Sequence, residues 1–265
     1  MTPRDGSVPA LDEDDVLRSL LEQVVEVHRR FMHAQVRRDR AGSLIKYSRD
    51  WEYPWVLLQA DVQPGETVLD CGAGYSPLMF IWAARGASVH CVDRDILIQS
   101  KGRYALQCLR YVAAFGKYAW QQPETWWDCA CNLGIQWRRL WRPDFWGPIP
   151  PRLLRRYGIT YQTGAKGDFT RLPYPDEAFD VVTCVSVLEH LPRDAQIRGM
   201  TEMARVVKKN GRLVVTYDEV EDHTAAFIEA AGLPVQGIAT FTVPSEVRGG
   251  QPLDVVGMVF RKRAT

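Results

Sequence analysis

The chain has 265 residues, a formal net charge of +1, 46% hydrophobic and 25% charged residues, the balance of a globular protein with one large domain or a core plus an appendage. This charge gives no electrostatic argument for nucleic acid, and no apolar run approaches the roughly 18 residues of a membrane span. The opening stretch MTPRDGSVPALDEDD lacks the apolar core of a signal peptide, so a cytoplasmic protein without a transmembrane segment is expected. Six cysteines are present. Three fall in β-rich runs, where cysteine is usually a small buried apolar residue. Cys129 and Cys131 are too close in sequence for a zinc pair. Neither a metal site nor a disulfide framework is expected.

Residues 1–11 have little apolar content and are expected to lack fixed structure. Residues 12–40 predict a long amphipathic helix. It opens with Asp12, Glu13, Asp14 and Asp15 and closes with Arg37, Arg38 and Arg40, charges that suit the helix dipole. Val16, Leu17, Leu20, Leu21, Val24, Val25, Val27 and Phe31 form its apolar stripe. Packing on the core, a lid over a site and formation of a homodimer are the three uses open to it. Tyr47, Arg49, Trp51, Tyr53 and Trp55 crowd the next stretch, where Pro54 is expected to start a helix.

From residue 64 the pattern alternates. Thr67–Asp70, Ser88–Asp93, Ile159–Gly164, Ala178–Val185, Gly211–Asp218, Val235–Val243 and Val255–Arg263 are short β-rich runs. Helical stretches are predicted at Pro77–Arg85, Asp194–Val207 and Glu221–Ala231, with none between the last two strands. This order predicts an α/β fold: a doubly wound, mostly parallel seven-stranded sheet closed by an antiparallel hairpin. Residues 101–158 interrupt it. A crossover needs about a dozen residues, and this one is far longer. It holds six of the nine tryptophans and ten basic residues against three acidic ones. The chain is thus divided into an N-terminal helical cap at 1–60, a sheet domain at 61–265, and an inserted substrate-binding subdomain at 101–158 within it.

The densest signal is Val68-Leu69-Asp70-Cys71-Gly72-Ala73-Gly74-Tyr75-Ser76-Pro77. A strand ends at Asp70, and a glycine turn leads into a helix with Ser76 as cap and Pro77 at its first position. Gly72 and Gly74 let backbone approach a ligand closely. Asp93 ends the next strand, where a carboxylate can accept from both hydroxyls of a ribose. A dinucleotide fingerprint would place glycine where Pro77 stands, which disfavours that ligand.

Further along come Gly167-Asp168-Phe169, then Leu172-Pro173-Tyr174-Pro175-Asp176-Glu177-Ala178-Phe179-Asp180, then Val187-Leu188-Glu189-His190-Leu191-Pro192, then Ala204-Arg205-Val206-Val207-Lys208-Lys209-Asn210-Gly211-Arg212. With the glycine loop and Asp93, this series resembles the class I S-adenosylmethionine-dependent methyltransferases. More narrowly, it resembles the type 11-like branch, which acts mainly on small molecules, over residues 64–100 and 159–220. The resemblance implies a Rossmann-like methyltransferase fold and S-adenosyl-L-methionine as cofactor. Asp70, Gly72, Ala73, Gly74 and Tyr75 would surround its methionine part, and Asp93, with Arg94 beside it, its ribose. Asp168 would accept from the adenine amino group, Phe169 would pack beside the ring, and Cys184 and Val185 would line the sulfonium. Ser76 replaces a frequent third glycine of the loop. Tyr47 and Arg49 would close over the cofactor, with Arg49 near a carboxylate.

His190 is the candidate catalytic base, since histidine titrates in the useful range. A cap or backbone contact is the competing role for it. Glu189 is assigned a structural or substrate-positioning role. Trp51, Trp55, Trp127, Arg138 and Arg142 are candidate acceptor contacts, where flat apolar area is combined with fixed positive charge. The expected function is methyl transfer to a small molecule, by preference on oxygen. RNA methylation and a non-catalytic S-adenosylmethionine-binding regulator or subunit are the alternatives. Nucleic acid is disfavoured because no RNA-binding module is recognised and Val185-Ser186-Val187-Leu188 lacks the Asn/Asp-Pro-Pro-Tyr/Phe pattern of many base-amino methyltransferases.

Overall fold

A computed structural model describes residues 15–27, 48–74, 76–94, 151–218, 223–243 and 252–264. The chain divides into two compact units, one of residues 1–95 and 157–265, the other of residues 96–156. In the second unit the described element is the short helix Pro151–Arg156.

The first unit is built on seven strands: β1 (Thr67–Cys71), β2 (Ser88–Asp93), β3 (Thr160–Thr163), β4 (Phe179–Val185), β5 (Val207–Asp218), β6 (Val235–Val243) and β7 (Leu253–Arg261). They pair in the order β3-β2-β1-β4-β5-β7-β6. The five strands from β3 to β5 run parallel, and β7 lies antiparallel to both β5 and β6. The doubly wound sheet expected from the sequence is therefore observed. Val68, Leu69, Asp70 and Cys71 are all buried, as befits a central parallel strand covered on both faces.

Five helices of this unit are described: α1 (Asp15–Val27), α2 (Ser48–Ala60), α3 (Leu78–Ala84), α4 (Arg193–Val206) and α5 (Thr224–Ala231). Within the expected 12–40 helix, residues 15–27 are helical, and the rest of that range lies outside the described residues. Leu20 and Val24 of the apolar stripe are buried, and α1 packs on α2 and α3.

The order of the sheet brings the C-terminal ends of β1, β4 and β5 side by side, where ligands bind in open α/β sheets. Two anchors hold α2 over that edge. Arg212 of β5 is buried and donates to the carbonyls of Ala60 and Asp61 and to Glu66. At the other end, the fully buried Glu52 accepts from the hydroxyls of Ser186 and Thr216 through one oxygen.

These anchors correct one sequence expectation. Pro54 does not start α2 but stands inside it, although an internal proline removes a helical hydrogen bond and costs about 3 kcal/mol. Glu52 is bolted to β4 and β5, and Trp55, Val56 and Leu57 are buried on the sheet. This tertiary anchoring keeps the turn before the proline helical.

Candidate cofactor and acceptor site

The loop after β1 is shaped by backbone that only glycine adopts readily. Gly72 has φ +68° and Gly74 φ +51°, in the left-handed region. A Cβ on Gly72 would stand 2.5 Å from a methyl of Val187, so side-chain bulk is also excluded there. The loop is braced on two sides. The Gly74 amide donates to Asp93 Oδ2 at 2.8 Å, and the Tyr161 hydroxyl donates to the Gly74 carbonyl at 2.9 Å. Ser76 Oγ accepts from the Leu78 amide at the start of α3, although Pro77 and not Ser76 stands at the cap position. Helix α3 begins one residue later than predicted, with Pro77 immediately before it.

A cavity of about 260 Å³ opens beside this loop, lined by Asp70, Gly72, Ala73, Gly74 and Ser76, by Arg49 and Tyr53 of α2, and by Val185, Ser186 and Val187 after β4. This is slightly below the usual range of small-molecule pockets, about 300–1,000 Å³. Asp70 Oδ1 accepts from Thr183 Oγ1 at 2.8 Å. Its Oδ2 is buried without a partner among the described residues. Burial pushes the Asp70 carboxyl up to about 7, against the lowering effect of the Thr183 hydrogen bond and with further raising from Asp93. Burial likewise raises the Tyr53 hydroxyl well above its ordinary value, opposed by Arg49 and by a hydrogen bond with Ser76.

On the far wall, Ser186 adopts φ +47°, a conformation costing about 1–3 kcal/mol in a non-glycine residue. Three contacts impose it. Its amide donates to the Thr216 carbonyl, its hydroxyl donates to Glu52, and its carbonyl accepts from Arg49 Nη2 at 3.3 Å. Arg49 also lies 3.8 Å from the second oxygen of Glu52.

Among the sequence candidates, Arg49, Asp70, Gly72, Ala73, Gly74 and Val185 meet at this cavity, and Asp93 reaches it through Gly74. Asp168 and Arg94 are electrostatic neighbours. The Asp168 carboxyl is held below its ordinary value chiefly by hydrogen bonds from Thr170, with Arg94 and Arg198 adding to the effect. Tyr47, Tyr75, Trp127, Arg138 and Arg142 lie outside the described residues.

Five candidates stand elsewhere. Cys184 is fully buried in the core with Cys71. Side chains alternate along a strand, and Asp70 pairs with Thr183, so Thr183 shares the Asp70 face and Cys184 takes the other. Phe169 is also a core residue, its ring against Gly199, where a Cβ would stand 2.6 Å away. Trp55 fills the space over Gly257, with the ring 2.6 Å from where a Cβ would be. His190 ends a short 3₁₀ turn, Leu188–His190, which leaves its side chain 69% exposed and off the cavity lining. Trp51 packs against Phe241, Leu253 and Val255, and its Nε1 is buried without an acceptor among the described residues.

The sequence reading passed over Glu52, Tyr161, Ser186, Val187 and Asp218. A signal existed for Glu52: it shares a helix face with Trp55 and Val56 at i+3 and i+4, and a carboxylate on an apolar face asks for a partner.

Comparison with known proteins bears on the fold. Residues 152–215 match the family model described as a methyltransferase domain. An uncharacterized protein of Methanocaldococcus jannaschii is 30% identical over 91 residues, which is 33% of this chain and 38% of that protein. The demethylmenaquinone methyltransferase of Mycobacterium sp. (strain KMS) is 47% identical over 53 residues, 18% of this chain and 20% of that one. The matches thus span well under half of these relatives. Among solved structures, the 1,6-didemethyltoxoflavin-N1-methyltransferase of Burkholderia thailandensis, with 1,6-didemethyltoxoflavin and S-adenosylhomocysteine bound, superposes with a TM-score of 0.50 at 16% identity. The superposition covers 99% of this chain and 95% of that one. The chain has the Rossmann-like fold of the class I methyltransferases, and its residues 152–215 match a methyltransferase-domain model.

Proposed function

We propose that the protein transfers the methyl group of S-adenosylmethionine to a small-molecule acceptor. The observation that carries this reading is the buried Asp70 Oδ2, which faces a cavity beside a glycine loop and has no donor among the described residues. A buried acceptor left unmade costs about 1–3 kcal/mol, and a ligand donor at that point removes the cost. The residues fit the cofactor. Asp70 would accept from its amino group and Arg49 would meet its carboxylate. Asp93 would hold the ribose at the end of β2, and Asp168, with Arg94 close by, would accept from the adenine amino group. Gly72 and Gly74 leave room for the ligand against backbone.

S-adenosylmethionine supplies a methyl carbon already activated by the sulfonium, so in-line alignment provides much of the rate. The chain's own contribution is to hold the acceptor atom in line and to receive its proton. The small-molecule acceptor is supported by the relatives: the demethylmenaquinone enzyme and the didemethyltoxoflavin N1-methyltransferase are named for such substrates. The preference for oxygen rested on His190 as base, and an imidazole outside the cavity lends it no support.

Calorimetric titration with S-adenosylhomocysteine, followed by transfer assays offering small-molecule extracts and RNA separately, tests the proposal. Cofactor binding with transfer to small molecules is expected. Transfer to RNA alone, or binding with no transfer to either, would replace it with the RNA enzyme or the regulator. Absence of binding would overturn it.

A further inference from the structure

Beyond Ser186, behind the cavity lining, stands a group of acids that the cofactor reading does not use. Glu189 follows β4 in the 3₁₀ turn, Asp218 ends the neighbouring parallel strand β5, and Glu52 and Trp51 lie on α2 above them. The Glu189 side chain is only 6% exposed, yet neither of its oxygens has a hydrogen-bond partner among the described residues. The same holds for Asp218 Oδ1, whereas Glu52 Oε2 has Arg49 at 3.8 Å, and Trp51 Nε1 is a buried donor without an acceptor among the described residues. The charged groups that act on Glu189 are Asp218 and Glu52, which repel its charge, and Arg49, which attracts it. His190 Nε2 lies 4.0 Å from Oε1. The described residues hold no group of three or more acids, histidines or cysteines that could bind a metal ion.

Resting on the methyltransferase reading above, we propose that this cluster receives the acceptor, that the acceptor atom is the nitrogen of an amine or N–H heterocycle, and that Glu189 takes its proton. Buried carboxylates left without donors are each costly, and several at one sheet edge next to the cavity call for a ligand that brings donors. Charge decides which one. A neutral nitrogen becomes positive as it attacks, and the Glu189 and Glu52 carboxyls, once ionised, stabilise that developing charge. A phenol or alcohol would have to approach as an anion, which the same ionised carboxylates oppose.

The step balances. The nitrogen lone pair forms the N–C bond to the methyl carbon while the C–S bond breaks, its electron pair staying on sulfur, which becomes a neutral thioether. The proton left on the methylated nitrogen passes to the Glu189 carboxylate and from there to solvent. Burial, aided by Asp218 and Glu52, pushes the Glu189 carboxyl up to about 8, the range in which a general base works best near neutral pH.

The experiment uses the full chain saturated with S-adenosylhomocysteine, titrated calorimetrically with matched pairs: aniline and phenol, benzylamine and benzyl alcohol, indole and benzofuran. The nitrogen member of at least one pair is expected to bind more tightly than its oxygen counterpart by about tenfold, a difference of about 1.4 kcal/mol. Glu189→Gln, and independently Asp218→Asn, should abolish the preference while S-adenosylhomocysteine affinity and cooperative unfolding are retained. With methyl-labelled S-adenosylmethionine, the wild type should label nitrogen at a rate that rises with pH towards 8, and Glu189→Gln should lower that rate by about 10²–10⁴-fold. Equal binding within every pair, binding of no amine, or transfer to oxygen undiminished in Glu189→Gln would each overturn the inference. Failure of the wild type to bind S-adenosylhomocysteine would instead overturn the underlying methyltransferase reading.

Discussion

The loop after β1 and the turn after β4 stand on the same sheet edge and treat their polar groups in opposite ways. At the first, nearly every group near the cavity is engaged within the protein: Gly74 by Asp93 and Tyr161, Asp70 Oδ1 by Thr183, and Ser76 by the start of α3. One oxygen, Asp70 Oδ2, is left over. At the second, both oxygens of Glu189, one of Asp218 and the indole of Trp51 have no hydrogen-bond partner among the described residues, and Glu52 Oε2 has only Arg49 at 3.8 Å. The loop is a preformed surface awaiting one specific donor. The turn holds buried polar atoms for which the proposed acceptor would supply partners. The first suits a cofactor of fixed shape and the second an acceptor.

The sharpest way to break this comparison is Gly72→Val. Its Cβ would meet Val187 at 2.5 Å, at φ +68°. A left-handed φ alone costs about 1–3 kcal/mol, so affinity for S-adenosylhomocysteine should fall by about a hundredfold or more. Asp93→Ala should weaken binding by roughly tenfold or more, the value of a charged hydrogen bond. Asp93→Asn, which can still accept from Gly74, should lose less. Calorimetry on variants with unchanged melting temperature reads both.

Protonation sharpens the contrast further. The Asp70 carboxyl stands at about 7 in the free protein, and a ligand donor favours its ionised form. Affinity for S-adenosylhomocysteine should therefore rise by about tenfold between pH 6 and 8. Asp70→Asn should remove that dependence.

Stability should run the other way. Glu52, Asp70 and Glu189 all have carboxyls raised by burial, so the folded state holds more protons than the unfolded one between the ordinary carboxylate range and about pH 8. Each group's contribution is fully present below its unfolded pKa and is lost as pH rises through its folded value. The melting temperature should fall from pH 5 to 8, and Glu189→Gln should flatten the fall. The smallest effect is expected at His190. With its side chain largely exposed, His190→Ala should leave turnover within about twofold of wild type, not the 10²–10⁴-fold loss of a general base. That measurement requires the acceptor found in the paired titrations.

Most of the sheet was legible from local pattern. β2 and β6 have the ranges predicted for them, and β1, β3, β4, β5 and β7 differ at their ends. Two-residue alternation and glycine turns are local signals. The errors came where distant residues decide. A strand end can be located without knowing which residue faces the ligand, since a shift of one residue changes the face. Cys184 was therefore chosen, while Ser186 and Val187 line the cavity. Phe169 is drawn into the core by Gly199, thirty residues on, and Trp55 by Gly257. The burial of Glu189, for which the sequence suggests a structural or substrate-positioning role, has no local signal, because the charged groups that act on it, Asp218, Glu52 and Arg49, are brought near only by the fold.

A crystal structure of the protein with S-adenosylhomocysteine bound tests the central claim most directly. The ligand amino group should donate to Asp70 Oδ2, its ribose should lie at Asp93 and its sulfur should face Val185–Val187, leaving Glu189 and Asp218 for the acceptor. A ligand bound away from the loop at residues 72–76, or bound there with Asp70 Oδ2 still without a donor, would contradict it.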